Sequence, residues 1–271
     1  PVITKVIDKE TVDTGEDVQY TLKPSIPGNI GDYEKYVVKD VLGEELTYDS
    51  SEVIEGMTLD TDYSIERDGQ TTNYVFTDSG MDKLQKKFDA GDRFFTILMN
   101  AHTNSKAKMD TPLKNDVSTI YNNGYEPEDE TPVDHAYTII GDHQFIKTDG
   151  DTSKALSGAK FVVKNKIDPN RVTYLKQDPT TKAITWVEDK SKATEFVSGT
   201  DGKFQVEGLQ YTYDVDFDKQ GNPTITDKKI NDYALEEVVA PSGYTPTRND
   251  VPFVVSNDDA SSKVTDIKNL K

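Results

Sequence analysis

Tyr233-Ala234-Leu235-Glu236-Glu237-Val238-Val239-Ala240-Pro241-Ser242-Gly243-Tyr244 opens as an alternating strand and closes in a Pro-Ser-Gly turn. Side chains on a strand alternate between faces, so Tyr233, Leu235 and Glu237 share one face while Glu236 takes the other. A carboxyl group thereby joins a row of apolar side chains. Upstream, His143-Gln144-Phe145-Ile146-Lys147-Thr148-Asp149 places Phe145 and Lys147 on one face, so if Phe145 points inward Lys147 does too. Downstream, Val264-Thr265-Asp266-Ile267-Lys268-Asn269 puts Ile267 and Asn269 in phase. A buried Lys or Glu is expensive unless it is neutral or matched, so an amine, an acid and an amide at core-facing positions call for an explanation.

Working outward, strand-like runs bounded by Gly, Asn, Asp and Pro dominate: Val18 to Leu22, Tyr36 to Val41, Tyr74 to Thr77, Phe94 to Met99, Val117 to Tyr121, Lys160 to Lys164, Lys203 to Val206 and Pro252 to Ser256. An all-β architecture is expected. Met81, Leu84, Gln85 and Phe88 recur at helical spacing behind Ser79, which predicts one short helix, capped by Ser79, that closes one end of a sandwich. The acidic, proline-bearing stretch from Gly124 to Asp134 has no periodicity, and strand signals restart at Tyr137, so two domains are expected, 1–134 and 135–271.

The 271 residues carry 49 acidic and 31 basic side chains, a formal charge of -18, and no cysteine. Such a chain repels phosphate backbones and anionic lipid surfaces, which argues against nucleic-acid and membrane-surface partners. No apolar run approaches the roughly 18 residues that span a bilayer. Without cysteine there is no disulfide or thiolate chemistry, which fits the cytosol and equally fits secreted proteins of Gram-positive bacteria.

Leu156-Ser157-Gly158-Ala159-Lys160-Phe161, the Gly202-Lys203-Phe204 to Gly208-Leu209 element, the Leu235 to Tyr244 box and the terminal Ile267-Lys268-Asn269 together resemble the Cna B-type domains of Gram-positive surface proteins. The resemblance implies a spontaneous isopeptide bond between Lys147 and Asn269, with Glu237 as catalyst. Burial favours the neutral amine that attacks and the protonated acid that polarises the amide and shuttles protons, so the implied chemistry is physically coherent. In the first half, Pro1-Val2-Ile3-Thr4-Lys5-Val6, Thr14-Gly15-Glu16-Asp17-Val18-Gln19-Tyr20-Thr21-Leu22 and Tyr36-Val37-Val38-Lys39-Asp40-Val41-Leu42 resemble the Cna A-like middle domain of sortase-assembled shaft pilins. This implies Lys5 as nucleophile and Asp40 as acid; Lys5 alternates with Ile3 and Ile7, and Asp40 with Val38 and Leu42. The partner amide is expected on the final strand, where alternation from Val117 and Tyr121 selects Asn123 and alternation from Ile120 selects Asn122.

The resemblances imply two tandem immunoglobulin-like β-sandwiches from the shaft subunit of a covalently polymerised pilus on a Gram-positive cell wall. The implied partners are neighbouring pilin subunits, a pilus sortase and host matrix proteins. An adhesin stalk or matrix-binding module on the same fold is the alternative role. The chain opens at Pro1 without a signal peptide and contains neither a Leu-Pro-x-Thr-Gly sorting signal nor a Tyr-Pro-Lys pilin motif, so it reads as a fragment. No enzyme activity, metal or cofactor is expected. Asp214 to Gly221 lacks the closing Glu and correctly placed Gly of a calcium loop and reads as a hairpin turning at Gln220-Gly221-Asn222. His102, His135 and His143 are too scattered for a helical metal pair and read as surface residues.

Overall fold

The computed structural model describes residues 1–257 and 263–271. The first half runs β1 (Ile3–Ile7), β2 (Asp17–Pro24), β3 (Lys35–Leu42), β4 (Leu46–Val53), β5 (Tyr63–Asp68), β6 (Thr71–Phe76), α1 (Asp78–Asp89), β7 (Ile97–Thr103), β8 (Leu113–Asn122), β9 (Asp129–Glu130) and β10 (Asp134–Thr138). The second runs β11 (Gly141–Asp149), β12 (Lys160–Asn165), β13 (Thr173–Gln177), β14 (Ile184–Val187), β15 (Phe196–Val197), β16 (Lys203–Leu209), β17 (Tyr213–Phe217), β18 (Pro223–Lys229), β19 (Tyr233–Val239), β20 (Val251–Pro252) and β21 (Val264–Asn269).

Each half packs two sheets face to face. In the first, β1-β2-β7-β4 faces β10-β8-β3-β6-β5, and Tyr20 and Leu22 of β2 meet Tyr36 and Val38 of β3 in one core. In the second, β16-β11-β21 faces β14-β13-β12-β19-β20, and the rings of Phe145, Phe204 and Phe161 stack across the gap with 15° between neighbouring planes. The first and last strands of the second half, β11 and β21, lie side by side and parallel, Lys147 opposite Ile267 and Asp149 opposite Asn269. Because the pair is parallel, the chain enters this domain at one end of the strands and leaves it at the other.

The helix forms where its periodicity places it, but Thr77 caps it: the Thr77 hydroxyl accepts from the Gly80 N–H at 3.2 Å, while Ser79 lies inside the first turn and donates to Asp62. Met81 and Leu84 enter the core and Gln85 donates to the Gly28 carbonyl, so α1 seals the sandwich end beside the short turn at Ile30–Asp32. The expected strand from Phe94 begins only at Ile97, and that from Pro252 ends there, because Val255 is held by the Thr212 hydroxyl and backbone rather than by a ladder. Asp214 to Gly221 is a hairpin whose turn Asp218 ties through the N–H groups of Gln220 and Asn222.

The acidic stretch is not a free connection. β9 and β10 both pair with β8, so residues up to Thr138 belong to the first sandwich, and the chain crosses at Ile139–Gly141 instead of at Asp134. Polar groups that alternate weakly in sequence are here satisfied by an existing edge. The crossing is clasped by residues 10–14, which lie against the second half: Thr14 N–H bonds the Gly208 carbonyl, Ile184 N–H bonds the Thr14 carbonyl, and Tyr211 N–H bonds the Thr11 hydroxyl. Gly208 sits at φ 89°, and a β-carbon there would meet the Thr14 hydroxyl at 2.6 Å, so only glycine permits this approach.

Candidate cross-linking sites

In the second half, β11 supplies Lys147, β21 supplies Asn269 and the opposite sheet's β19 supplies Glu237, all facing the core as the alternation predicts. Lys147 and Glu237 side chains are excluded from solvent to within 1%. Lys147 Nζ lies 2.5 Å from Asn269 Oδ1 and 3.2 Å from the Ile267 carbonyl, and Asn269 Nδ2 donates to Glu237 Oε1 at 3.0 Å. The same carboxylate oxygen is 3.7 Å from the amine. Burial pushes the Lys147 amine below its usual range, and the Glu237 charge opposes that shift. An amine, a carboxamide carbonyl and a carboxyl group are therefore assembled, with the amide nitrogen donating to the acid.

Two groups that alternation could not reveal complete the geometry. Thr247, beyond the Tyr244 turn, donates its hydroxyl to Asn269 Oδ1 at 2.8 Å, and its N–H bonds Glu237 Oε2 at 2.6 Å. It thus polarises the carbonyl and orients the acid at once. Gly202, at φ 76°, presents its carbonyl to the Lys147 N–H at 2.8 Å, and a β-carbon there would stand 2.5 Å from the Lys147 carbonyl. No sequence signal separates Thr247 from the other hydroxyls of its loop.

In the first half, Lys5 of β1 reaches across the sandwich to Asp40 of β3. The amine contacts Asp40 Oδ2, donates to the Asp116 carbonyl at 3.3 Å, and lies 5.0 Å from the centre of the Tyr20 ring. Both charged side chains are fully buried. Burial pushes the Lys5 amine down and the Asp40 carboxyl up, each held back by the other's charge.

Asn123 and Asn122 are not brought to this pair. Val117 stands opposite Asp40, and Asn122 is five residues further along β8, roughly 17 Å at strand rise. Asn123 closes a turn, accepting from the N–H groups of Tyr125 and Glu126, and Asn122 contacts Glu34 and the Gly124 N–H. The amide on the core face beside Asp40 is Asn115: it is fully buried, in phase with Val117, and adjacent to the Asp116 carbonyl that Lys5 touches. Asn115 lies close enough to favour the charged form of Asp40, yet neither its oxygen nor its nitrogen reaches hydrogen-bond geometry with any described residue. An unpartnered buried amide costs about 1–3 kcal/mol, so this position is poised rather than settled. Alternation from Val117 points to Asn115 in one direction as directly as to Asn123 in the other.

The histidines differ from expectation in one case. His143 is 1% exposed, its Nδ1 bonded to the Val254 carbonyl and Nε2 to the Thr265 hydroxyl, with burial lowering its proton affinity. Among the described residues one group has metal-like spacing: Asp17, Asp49 and His102 hold ligand atoms within 4.8 Å of one another on an open face, where His102 already pairs with Asp49. Among the described residues no helix is long and apolar enough to cross a membrane.

These features define a class: tandem β-sandwiches, each with a buried amine, acid and amide. Residues 212–270 match the SpaA family, described as a prealbumin-like fold domain. The whole chain superposes on the 35 kDa C-terminal fragment of the major pilin GBS80 of Streptococcus agalactiae, at 20% identity and a TM-score of 0.72, covering 99% of this chain and 100% of that one. The pilus backbone protein RrgB of Streptococcus pneumoniae matches at 14% identity and 0.71 over 99% of each chain. Domains D2 and D3 of the major pilin SpaD of Corynebacterium diphtheriae match at 20% and 0.68, covering 100% and 99%. The fold is that of these major pilin and pilus backbone structures. Among curated proteins no sequence matches the chain.

Proposed function

We propose that this chain is a load-bearing segment of a surface pilus shaft, whose two domains weld themselves with intramolecular isopeptide bonds. The observation that carries the reading is the contact of the buried Lys147 amine with Asn269, bridged by Glu237 in the dry core. The amine attacks the Asn269 carbonyl carbon, Thr247 stabilises the oxygen, Glu237 moves protons from nitrogen to the departing amide nitrogen, and one ammonia leaves for one amide formed. In the first domain Lys5 and Asp40 play the same parts, and the burial and unpartnered state of Asn115 support it as acceptor in place of Asn123.

The two bonds join the first strand of each sandwich to its last long strand. Force entering at β1 passes to β8, and force entering at β11 passes to β21, without unzipping the strands between. Neighbouring pilin subunits and a pilus sortase are the partners that this role requires, and the cell surface its location; contact with host matrix proteins belongs to the same reading.

Intact mass under denaturing conditions tests it. The expected native chain lacks two ammonia molecules, Glu237→Ala restores one, Asp40→Ala restores the other, and Asn115→Ala behaves as Asp40→Ala. A native mass with neither ammonia missing overturns the proposal.

A further inference from the structure

A third amine is gripped by two carboxylates, at the junction of the domains. Lys263 immediately precedes β21, and its Nζ contacts Asp110 Oδ2 and lies 3.2 Å from Asp142 Oδ1. Asp110 belongs to the loop between β7 and β8 of the first domain, and Asp142 to β11 of the second. The side chains are 18%, 22% and 11% exposed, so the cluster is largely withdrawn from water. Burial lowers the proton affinity of the Lys263 amine.

Asp110 is held rigidly for a surface loop. Its backbone takes the left-handed conformation at φ 57°, its N–H bonds the Ile140 carbonyl at 2.7 Å, and its Oδ1 accepts from the Tyr211 hydroxyl at 2.6 Å. Asp142 Oδ2 in turn accepts from Gln205 Nε2 at 2.5 Å. Every oxygen of the two carboxyl groups therefore has an assigned donor. The arrangement repeats the logic of the Lys147 site: one acyl group against the amine, a hydroxyl on the acyl oxygen, and a second carboxylate within proton-transfer distance.

We propose that Lys263 and Asp110 condense into an isopeptide bond that ties the two domains together, with Asp142 as the proton carrier. The ammonium passes one proton to Asp110 Oδ2, leaving a neutral amine and a carboxylic acid. The amine attacks Cγ of Asp110 while Tyr211 donates to the developing charge on Oδ1. Asp142 takes the second proton from nitrogen and returns it to the hydroxyl at Oδ2. That C–O bond breaks, the C–N bond remains, and one water leaves; no oxidant or cofactor enters the balance. Low dielectric and fixed donors are what such a step needs.

The mechanical consequence rests on the intradomain bonds proposed above. With Lys5 joined to Asn115 and Lys147 to Asn269, tension between the domains is carried by the single strand of chain from Asn115 to Lys147. A bond from Asp110 to Lys263 runs in parallel with that segment, because Asp110 lies five residues from Asn115 and Lys263 six from Asn269. The domain crossing would then be spanned twice.

Peptide mapping of the full chain separates this bond from the other two, since it loses water where they lose ammonia. Trypsin cannot cleave after a modified Lys263, so the expected product is Met109–Lys114 joined to Asn249–Lys268, one water lighter than the sum of the two. Lys263→Arg keeps the charge but cannot condense, and should restore that water while both ammonia losses persist; Asp142→Asn should lower the fraction joined by tenfold or more at early times after folding. Recovery of Met109–Lys114 as a free peptide, with cleavage after Lys263, shows an ion pair only and overturns the proposal whatever the state of the other two bonds. Full joining in Asp142→Asn at the native rate overturns the role of Asp142.

Discussion

Lys147, Asn269 and Glu237 show how position changes what a residue can do. An exposed lysine is a cation and a poor nucleophile; behind Phe145, with a carboxyl and a carboxamide as its partners, it is displaced toward the free amine. Thr247 tests how much of the reactivity comes from donors fixed in advance. Replacing it by Val keeps the volume and removes the hydroxyl on Asn269 Oδ1, and loss of a single such donor slows acyl chemistry by about 100-fold or more. The expected outcome is slow, incomplete ammonia loss in freshly folded Thr247→Val, read by mass against time, with the final fold unchanged. Loss of the proposed bond has a thermodynamic reading as well. Asn269→Ala opens a loop of 122 residues, worth about 5 kcal/mol of unfolded-state entropy, and calorimetry should show that domain melting on the order of 15 °C lower. A melting point unchanged in Asn269→Ala would contradict the cross-link's presence in the native chain.

At the scale of elements, the clasp formed by residues 10–14 contains a titrating group with a built-in reporter. Asp13 is buried at the crossing, where its Oδ2 accepts from Trp186 Nε1 at 2.8 Å and its Oδ1 from the Gln210 N–H at 2.7 Å. Burial outweighs these two bonds and raises its carboxyl to about 6. A folded-state value above the unfolded one means that the native state binds the proton more tightly, so this group's contribution is fully present below about pH 4 and is lost as pH rises through about 6. Trp186 is the only tryptophan in the chain. Its fluorescence should titrate with a midpoint near 6 as the acceptor on Nε1 gains or loses its proton, and Asp13→Asn should abolish that step. A flat profile between pH 5 and 7 would place Asp13 outside this range and remove the clasp's pH dependence.

For the whole molecule, topology decides how load would be borne in the proposed shaft role. β11 and β21 are parallel neighbours, so pulling on the chain ends of that domain shears all their hydrogen bonds at once, and the proposed bond at Lys147 would remove even that route to unfolding. Single-molecule pulling of the native chain should give no step the length of a domain, whereas Glu237→Ala combined with Lys263→Arg, which leaves no covalent bypass of the second domain, should add a step on the order of 400 Å, the contour of the 122 residues released. Domain-length steps in native material would show that force does not bypass the sandwiches.

Much of this is present in local pattern. Period-two alternation places Lys5, Asp40, Lys147, Glu237 and Asn269 on core faces, because strand geometry alone decides which side chains share a face, and the spacing of Met81, Leu84 and Phe88 likewise marks α1. Alternation says nothing about which face meets which. Asn115 and Asn123 are both in phase with Val117, and only the packing of β8 against β3, with Val117 opposite Asp40, separates the buried amide from the one that closes a turn. Ser79 reads as the cap in sequence, and the extended backbone leaving β6 puts Thr77 in that place instead. The fate of the acidic stretch before Tyr137, the position of Thr247 over the Asn269 carbonyl, and the meeting of Asp110 with Lys263 across 153 residues are contacts between segments that carry no local record of each other. Short-range sterics and side-chain alternation determine strands and faces; long-range pairing, which depends on the energy of the assembled chain, alone determines which groups touch.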